Sequence, residues 1–308
     1  MNSYCSRCGG TGWIHQCRFP VRTDSYLCCA DADLATDICP MCFGAGKPNR
    51  DPEISSYWQR ILASGNLDFD GLGSWTPYKS KLHAAGHWLF QRPLRKMGRR
   101  YSHFERLLDR GHRIADSQQR QFDLSMMRQV LTIAFLRHYF PLLLDEPVLV
   151  IGDAYGMMAS LVHLSAHLPV IVCNLRPCLD EDIRCFQQAC GDDALRALVP
   201  VEAHNKRALR DSQFGLAINI ASFQEMNLSV IHEYLDIVRE KKAFLYCCNR
   251  LEKTLPDGSV IRWQDYWKPE DRFIINEPCP WHQYYYSLMP PFYHSYEGLI
   301  RHALVKFR

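Results

Sequence analysis

The sequence of 308 residues predicts an α/β protein whose C-terminal part is a doubly wound, mixed seven-stranded β-sheet. From residue 147 onward, short apolar runs typical of buried strands alternate with amphipathic stretches typical of helices. Hydrophobic residues make up 47% of the chain and charged residues 22%, which is the balance of a globular protein with a sizeable core. Because crossovers between parallel strands are right-handed, we expect helices on both faces of this sheet.

The elements follow one another in a regular order. Strands are expected at 148–152, 170–175, 214–220, 243–248, 273–277 and 303–307. Helices are expected near 156–167, 180–197 and 228–240. Residues 101–140 predict two further helices, the second of which stops at Pro141. We therefore divide the chain into a small N-terminal module (1–50), a mainly helical lead-in or cap (51–144) and the sheet domain (145–308).

Composition excludes several classes of protein. The longest apolar stretch, 130–144, is interrupted by Arg137, His138 and Pro141, so no run of about 20 apolar residues is available to cross a bilayer. The first ten residues contain no apolar core of a signal peptide. A net charge of +3 does not require a polyanionic partner. These observations predict a cytoplasmic protein with no membrane partner, and they leave its oligomeric state open.

Seven of the 14 cysteines lie in the first 42 residues, and four of them form two matching pairs. Cys5 and Cys8, and then Cys39 and Cys42, occur as CxxCxGxG, a motif that resembles half of the DnaJ-type zinc region. Each pair directs two thiolates to one point, so together they predict a single structural Zn²⁺ with four cysteine ligands. The alternative is a loop-rich extension with free cysteines.

A glycine loop follows the first predicted strand. Gly152 and Gly156, with Asp153 and Tyr155 between them, suit the approach of an adenosyl cofactor, although a simple strand-to-helix turn would also explain them. The loop departs from the GxGxxG pattern that pyrophosphate binding needs. At the end of the second strand, where ribose usually meets an acid, the chain has Asn174; Asp180 or Glu181 is a candidate to compensate.

Polar segments follow three later strands: SFQEM at 222–226, YCCNRLEKTLPDG at 246–258 and CPWHQ at 279–283. Together they resemble the sugar O-methyltransferase family over residues 145–308, whereas the cysteine-rich extension is not typical of that family. The resemblance implies a Rossmann-like class I methyltransferase fold, S-adenosylmethionine as cofactor, and a small-molecule sugar or glycosylated acceptor.

Roles for these segments follow from their chemistry. His282 is the first candidate for the base that removes the hydroxyl proton, and Glu225 is the second, either as base or as the group that orients His282. Ser222 and Phe223 are expected beside the cofactor. Candidate acceptor-binding residues are Gln224, Asn249, Arg250, Glu252, Trp281 and Gln283, with Tyr284, Tyr285 and Tyr286 as an aromatic platform and His302 as a further candidate. Structural roles in loops, in the core or at a helix N-terminus remain alternatives.

Two other functions stay open. Five cations, Arg92, Arg95, Lys96, Arg99 and Arg100, lie within nine residues and suit either a solvated surface or a phosphate-binding segment of an RNA methyltransferase. A zinc-dependent scaffold without catalytic activity is the second rival, and failure to bind the cofactor would favour it. Hard-ligand clusters of acids are not evident in the sequence, so we expect that the reaction needs no divalent metal ion.

Overall fold

The computed structural model describes residues 13–15, 35–38, 54–64, 78–153, 155–295 and 298–307. Before the main sheet come β1 (Trp13–His15), β2 (Ala35–Ile38), α1 (Ser56–Ser64), α2 (Lys81–Phe90), α3 (Arg92–Gly98), α4 (Phe104–Ser117) and α5 (Leu124–Tyr139). The next elements are β3 (Val148–Ile151), α6 (Met157–Ala166), β4 (Val170–Asn174), α7 (Arg176–Cys190), β5 (Leu198–Glu202), α8 (Lys206–Asp211), β6 (Leu216–Ile220), α9 (Leu228–Glu240) and β7 (Phe244–Arg250). The chain ends with β8 (Glu252–Thr254), β9 (Val260–Arg262), β10 (Arg272–Pro278), β11 (Tyr284–Tyr286), β12 (Tyr293–Ser295) and β13 (Ile300–Lys306).

The main sheet has seven strands in the order β10-β13-β7-β6-β3-β4-β5. Strands β3 to β7 are parallel, and β13 runs antiparallel between β7 and β10. The predicted mixed seven-stranded sheet of the Rossmann-like class I methyltransferase type is therefore confirmed. Strand order reverses between β3 and β6, and ligands bind at such a reversal in open α/β sheets, beyond the carboxyl ends of the strands.

One strand of this sheet was not located from the sequence. β5 is an edge strand that pairs only with β4 in the described sheet, and it contains Pro200. Proline cannot donate a ladder hydrogen bond, so it is tolerated in a strand chiefly at the edge of a sheet. Pro200 interrupts the short apolar run 197–201, and a proline within such a run argues against a strand in the sequence.

The core lies on both faces of the sheet. Val148 and Val150 point to the face covered by α5 and α6, whereas Leu149 and Ile151 point to the face covered by α9. The lead-in helices α4 and α5 contribute buried side chains to the first of these clusters, so they form one layer of the sheet domain. In the described ranges, no helix combines the length and the apolar character that a membrane span requires.

Candidate active site

Two adjoining cavities open beyond the carboxyl ends of β3 and β6. The wide cavity has a volume of about 580 Å³ and the small cavity about 60 Å³. Both are lined by Gly152, Ile220, Ala221 and Glu225. Two compartments thus share one wall at the point where strand order reverses, which is the arrangement that a cofactor and an acceptor require.

The backbone at this wall is strained in several places. Ala221 in this wall has φ 61°, and Tyr155 in the glycine loop outside the wall has φ 73°; non-glycine residues rarely adopt such left-handed values. Gly152 has φ 70°, and a Cβ added there would lie 2.5 Å from the Ser222 hydroxyl oxygen. Such conformations cluster at ligand sites, where the surrounding structure holds them in place.

Two buried carboxyl groups lie beneath the glycine loop. Asp153 accepts hydrogen bonds from the backbone nitrogens of Met158 and Ala159, both at 2.7 Å, so it caps the N-terminus of α6. Burial raises the pKa of Asp153 to about 7. Asp182 accepts from the Gly156 nitrogen at 3.0 Å, and burial followed by the nearby Asp153 raises its pKa well above the usual value. Two buried acids therefore fix the glycine loop and the start of α6. Only Asp153 was predicted as a site residue from the sequence.

The acid near the predicted ribose position is Asp182. Its Oδ2 accepts from the Asn174 amide at 2.9 Å. The two predicted compensating acids point elsewhere: Asp180 pairs with Arg176 and Glu181 with Arg184 on the exposed surface of α7. A sequence signal for Asp182 did exist, since it belongs to the buried stripe of Cys178, Leu179, Asp182, Cys185 and Phe186 on α7.

The small cavity is closed by the lead-in. Ile54, Ser55 and Trp58 form one side, opposite Asn174 and Ser222. Ser55 donates to the Glu225 backbone carbonyl, which ties this segment to the end of β6. A volume of 60 Å³ is far below the roughly 300 Å³ at which small-molecule pockets begin, so a nucleoside enters only if this wall moves.

Glu225 lies at the junction of the two cavities with a cation beside it. Its Oε1 accepts from the Lys253 ammonium at 2.8 Å, and the two side chains are only 13% and 17% exposed. The ammonium also lies 4.3 Å from the centre of the Tyr57 ring. Burial raises the pKa of Glu225, and Lys253, Arg250 and Tyr57 oppose that shift. Tyr57 and Lys253 were not predicted as site residues, because only the fold brings α1 and β8 to the end of β6.

The wide cavity is lined by polar and aromatic side chains. Its hydrogen-bonding groups include Asp123, Arg128, Gln129, Gln224, Arg250 and Lys253, and its aromatic groups include Tyr57, Tyr285 and Tyr286. The Tyr286 hydroxyl is fixed by the His87 Nδ1 at 2.8 Å and by the Gln91 amide at 3.0 Å. Such a lining offers directional hydrogen bonds together with flat apolar faces.

His282 also lines the wide cavity, but its Nδ1 faces two thiols. The distances are 3.2 Å to the Cys279 Sγ and 3.6 Å to the Cys248 Sγ. Burial, with Arg128 and His302 nearby, lowers the pKa of His282 well below the usual value. A neutral imidazole with so low a pKa is a weak proton acceptor. Glu225 was a candidate to orient His282, but the structure pairs Glu225 with Lys253 and places His282 against the two thiols.

Three predicted site residues turn out to belong to the core. The Trp281 side chain is 0% exposed and packs against Phe135 with ring centres 5.5 Å apart, so it presents no face to an acceptor. Phe223 is also 0% exposed and stacks on Tyr234. His302 is buried, and its Nδ1 lies 3.0 Å from the Tyr246 hydroxyl. Each is a correction, with one cause: an aromatic side chain beside a sheet gains more from core packing than from exposure at the cavity.

The predicted polar residues divide into two groups. Gln224 and Arg250 line the wide cavity, and the Arg250 nitrogen donates to the Gln224 Oε1 at 2.9 Å. Asn249 is 1% exposed and donates to the Asn219 Oδ1 at 2.9 Å, so it supports the wall instead of meeting a ligand.

The remaining two predicted acceptor contacts are also corrected. Glu252 pairs with Arg262 on the surface at 3.1 Å. Gln283 donates to the Cys279 backbone carbonyl and so shapes its own loop. Neither side chain is part of the wall of the wide cavity.

The zinc-binding prediction falls on Cys5, Cys8, Cys39 and Cys42, which lie outside the described residues. The described backbone nearby consists of β1 and β2, which pair antiparallel with Trp13 opposite Ile38. The basic segment is divided by the fold, because Arg95 is buried and donates to the Trp88 carbonyl at 2.9 Å, while Arg99 pairs with Glu105 at 3.0 Å. The five cations therefore do not form one continuous exposed surface.

Comparison with known proteins gives similarity of structure only. No family model matches the chain, and no curated protein does. A Thermoplasma acidophilum protein is 14% identical over 66% of this chain and 97% of its own, with a TM-score of 0.45. The glycopeptide N-methyltransferase MtfA is 12% identical over 53% and 89%, with a TM-score of 0.36. An O-methyltransferase family 2 protein from Planctomyces limnophilus, in complex with apigenin, is 8% identical over 53% and 51%, with a TM-score of 0.39. At these values the likenesses identify neither a family nor a substrate.

Proposed function

We propose that the protein is an S-adenosylmethionine-dependent O-methyltransferase that acts on a hydroxyl of a sugar or of a glycosylated or nucleotide-linked small molecule. The observation that carries this proposal is the position of Glu225, a carboxyl group that is only 13% exposed and lies in the wall shared by the two cavities. A methyl group passes from cofactor to acceptor at such a junction, and a base must lie there to take the hydroxyl proton.

The residues at the small cavity fit the proposed cofactor in chemistry, although the cavity is closed in this conformation. Gly152 allows the backbone to be approached closely, and the Asn174 amide, held by Asp182, lies where a ribose hydroxyl would need a partner. The wall of Ile54, Ser55 and Trp58 would have to move outward to admit the cofactor. After binding, the same wall would cover the cofactor. When bound, S-adenosylmethionine supplies a methyl group on a positively charged sulfonium.

In this proposal Glu225 accepts the proton of the acceptor hydroxyl. Its carboxylate is oriented by Lys253 and Tyr57, so one oxygen is held and the group keeps a fixed direction. Its raised pKa makes it a stronger base than an exposed carboxylate. We assign the base to Glu225 and not to His282, because the lowered pKa of His282 makes the imidazole a poorer acceptor of a proton.

Support for a polyhydroxyl acceptor comes from the lining of the wide cavity. A volume of about 580 Å³ lies within the usual range for small-molecule pockets. Arg128, Gln129 and Gln224 offer hydrogen-bonding groups, while Tyr285 and Tyr286 offer aromatic faces. Sugars combine hydroxyl groups at the ring edge with an apolar ring face, which matches this mixture.

Calorimetric titration tests the function first. S-adenosylmethionine and its demethylated product should both bind with dissociation constants in the micromolar range, and methyl-labelled cofactor should then transfer its label to members of a panel of sugars and nucleotide sugars. Binding of neither compound would contradict the proposal and favour a non-catalytic scaffold. Binding of both, with label transfer to RNA but not to sugars, would reject the acceptor class while keeping the activity.

We also propose that Cys5, Cys8, Cys39 and Cys42 hold one structural Zn²⁺. Support comes from the repeated CxxCxGxG spacing and from the antiparallel pairing of β1 with β2. Trp13 lies opposite Ile38, so the first residue of β1 and the last residue of β2 are neighbours. In the sequence, one CxxC pair precedes β1 and the other follows β2, and two such pairs suit a four-thiolate site.

Replacement of Cys5 and Cys39 by serine should remove this zinc and unfold residues 1–50 alone. The sheet domain has its own core, so its helical circular dichroism and its thermal unfolding temperature should stay unchanged. Zinc content by mass spectrometry and limited proteolysis of the N-terminus provide the readouts. Loss of helical signal throughout the protein in this variant would show that the module is part of the main folding unit.

A further inference from the structure

Two cysteines and a histidine, residue types that can bind a metal ion, lie close together in the sheet domain, and the histidine lines the wide cavity. Cys248 is on β7, Cys279 directly follows β10, and His282 lies three residues later. The two thiols and the imidazole are 1%, 0% and 7% exposed, and one ligand atom of each lies within 4.8 Å of the others.

The distances in this group match those of a tetrahedral zinc site. Zinc binds sulfur at about 2.3 Å and imidazole nitrogen at about 2.0 to 2.1 Å, so a tetrahedron places nitrogen and sulfur about 3.6 Å apart. The observed distances from the His282 Nδ1 are 3.2 Å to the Cys279 Sγ and 3.6 Å to the Cys248 Sγ. The ligand atoms therefore need only small shifts to surround an ion.

We propose that Cys248, Cys279 and His282 bind a Zn²⁺ ion whose fourth position opens into the wide cavity. Two thiolates and an imidazole are donors that favour zinc over Mg²⁺ or Ca²⁺. His282 lines that cavity and both thiols are buried, so the proposed ion would lie next to the cavity. Three protein ligands and an open position distinguish catalytic zinc sites from closed structural ones.

Arg128 holds the loop that carries two of the three proposed ligands. It donates to the Trp281 carbonyl at 3.0 Å and to the Tyr284 carbonyl, on either side of His282 and close to Cys279. Hydrogen bonds that fix the loop around metal ligands also fix the orientation of the ligands.

The open position suggests a role for the ion that rests on the proposed function. A zinc ion held by these residues would supply Lewis-acid chemistry, which lowers the pKa of a hydroxyl group bound to the metal. Glu225 lines the same cavity and would accept the proton of that hydroxyl group. The metal ion and the carboxylate would then both contribute to activating the acceptor.

The first experiment removes the four N-terminal cysteines of the CxxC pairs and leaves Cys248, Cys279 and His282 unchanged. In the full-length variant with Cys5, Cys8, Cys39 and Cys42 all changed to serine, we expect about one zinc per chain after reconstitution with Zn²⁺ alone. X-ray absorption should give two sulfur and two nitrogen or oxygen neighbours. Retention of less than about a tenth of an equivalent, or a shell without sulfur, would overturn the proposal.

The second experiment identifies the ligands in the same background. Cys279→Ala should lose the remaining zinc, whereas Cys247→Ala should keep it. Cys247 is a matched control because it is equally buried on the same strand, next to Cys248, but belongs to the cluster on the opposite face of the sheet. Equal zinc in the two variants would overturn the assignment. So would a disulfide between Cys248 and Cys279 in the freshly isolated protein, detected by mass under non-reducing conditions.

Zinc content also separates this inference from the proposed function. If the protein binds zinc at Cys248, Cys279 and His282 but does not bind S-adenosylmethionine, the metal site is supported and the methyltransferase function is rejected. A chain that binds the cofactor and methylates an acceptor equally well after Cys279→Ala, with its zinc lost, would reject the catalytic role of the ion alone.

Discussion

Glu225→Gln is expected to lower the rate of methyl transfer about a hundredfold or more, because general-base catalysis contributes about 10² to 10⁴ in rate. Glutamine keeps the shape of the side chain and a hydrogen bond with its neighbours, but it cannot accept the acceptor proton. Affinity for the cofactor should change by less than about threefold, since the adenosyl contacts proposed at Asn174 and Gly152 stay in place. Single-turnover rates with labelled cofactor, together with calorimetry, measure the two quantities.

Glu252→Gln is the matched control for this variant. Glu252 lies close by on β8, but it is exposed and pairs with Arg262, so its neutralisation should leave the rate unchanged. Similar rates for the two variants would remove Glu225 as the base.

The pH dependence of the wild-type rate adds a second criterion. A base works in its deprotonated form, and the pKa of Glu225 is raised by burial. The rate should therefore fall as the pH decreases through a value above that of an ordinary glutamate, and it should level off above it. Lys253 opposes the effect of burial, so Lys253→Met should move this fall to higher pH. If the rate of the Lys253→Met variant falls at the same pH as that of the wild type, the group that titrates is not Glu225.

Periodicity identified most of the sheet because both of its faces are covered. The runs 148–151 and 170–173 are apolar throughout, since parallel strands between two helical layers bury every side chain. β5 is an edge strand whose short apolar run is interrupted by Pro200, which argues against a strand. β10, the other edge strand, was predicted although it is largely exposed, because Phe273, Ile274 and Ile275 form an apolar run without proline.

The site was less predictable because its residues come together from distant segments. Its position at the end of β6 made Glu225 a candidate, but its partners Tyr57 and Lys253 come from α1 and from β8. Cys279 and His282 have the CxxH spacing of a metal knuckle. The sequence does not show that Cys248 lies beside them, because Cys248 is on another strand of the sheet.

Trp281 illustrates the opposite difficulty. A tryptophan between a cysteine and a histidine predicts a binding platform equally well as a core residue, and the residue type alone does not distinguish them. Its 0% exposure and its packing against Phe135 show that it is a core residue.

Gly152→Ala should abolish measurable cofactor binding and lower the free energy of unfolding by about 2 to 5 kcal/mol. Two costs add at this position. A left-handed backbone costs a non-glycine residue about 1 to 2 kcal/mol, and overpacking of a tight site costs about 1 to 3 kcal/mol more. The added Cβ would lie 2.5 Å from the Ser222 Oγ, so the shared wall of the two cavities has to move.

Two further variants separate these costs. Gly258→Ala has a similar φ of 85° with nothing within 4 Å of the added Cβ, so it should show the backbone cost alone and leave cofactor affinity unchanged. Ser222→Gly removes the atoms that clash, and in the Gly152→Ala background it should restore part of both stability and affinity. A double-mutant cycle corrects for the loss of the 3.0 Å hydrogen bond from the Ser222 hydroxyl to the Ile151 carbonyl. Equal losses at the two glycines, or a coupling energy of zero, would show that the close approach of β3 to the end of β6 does not hold the cofactor wall in place.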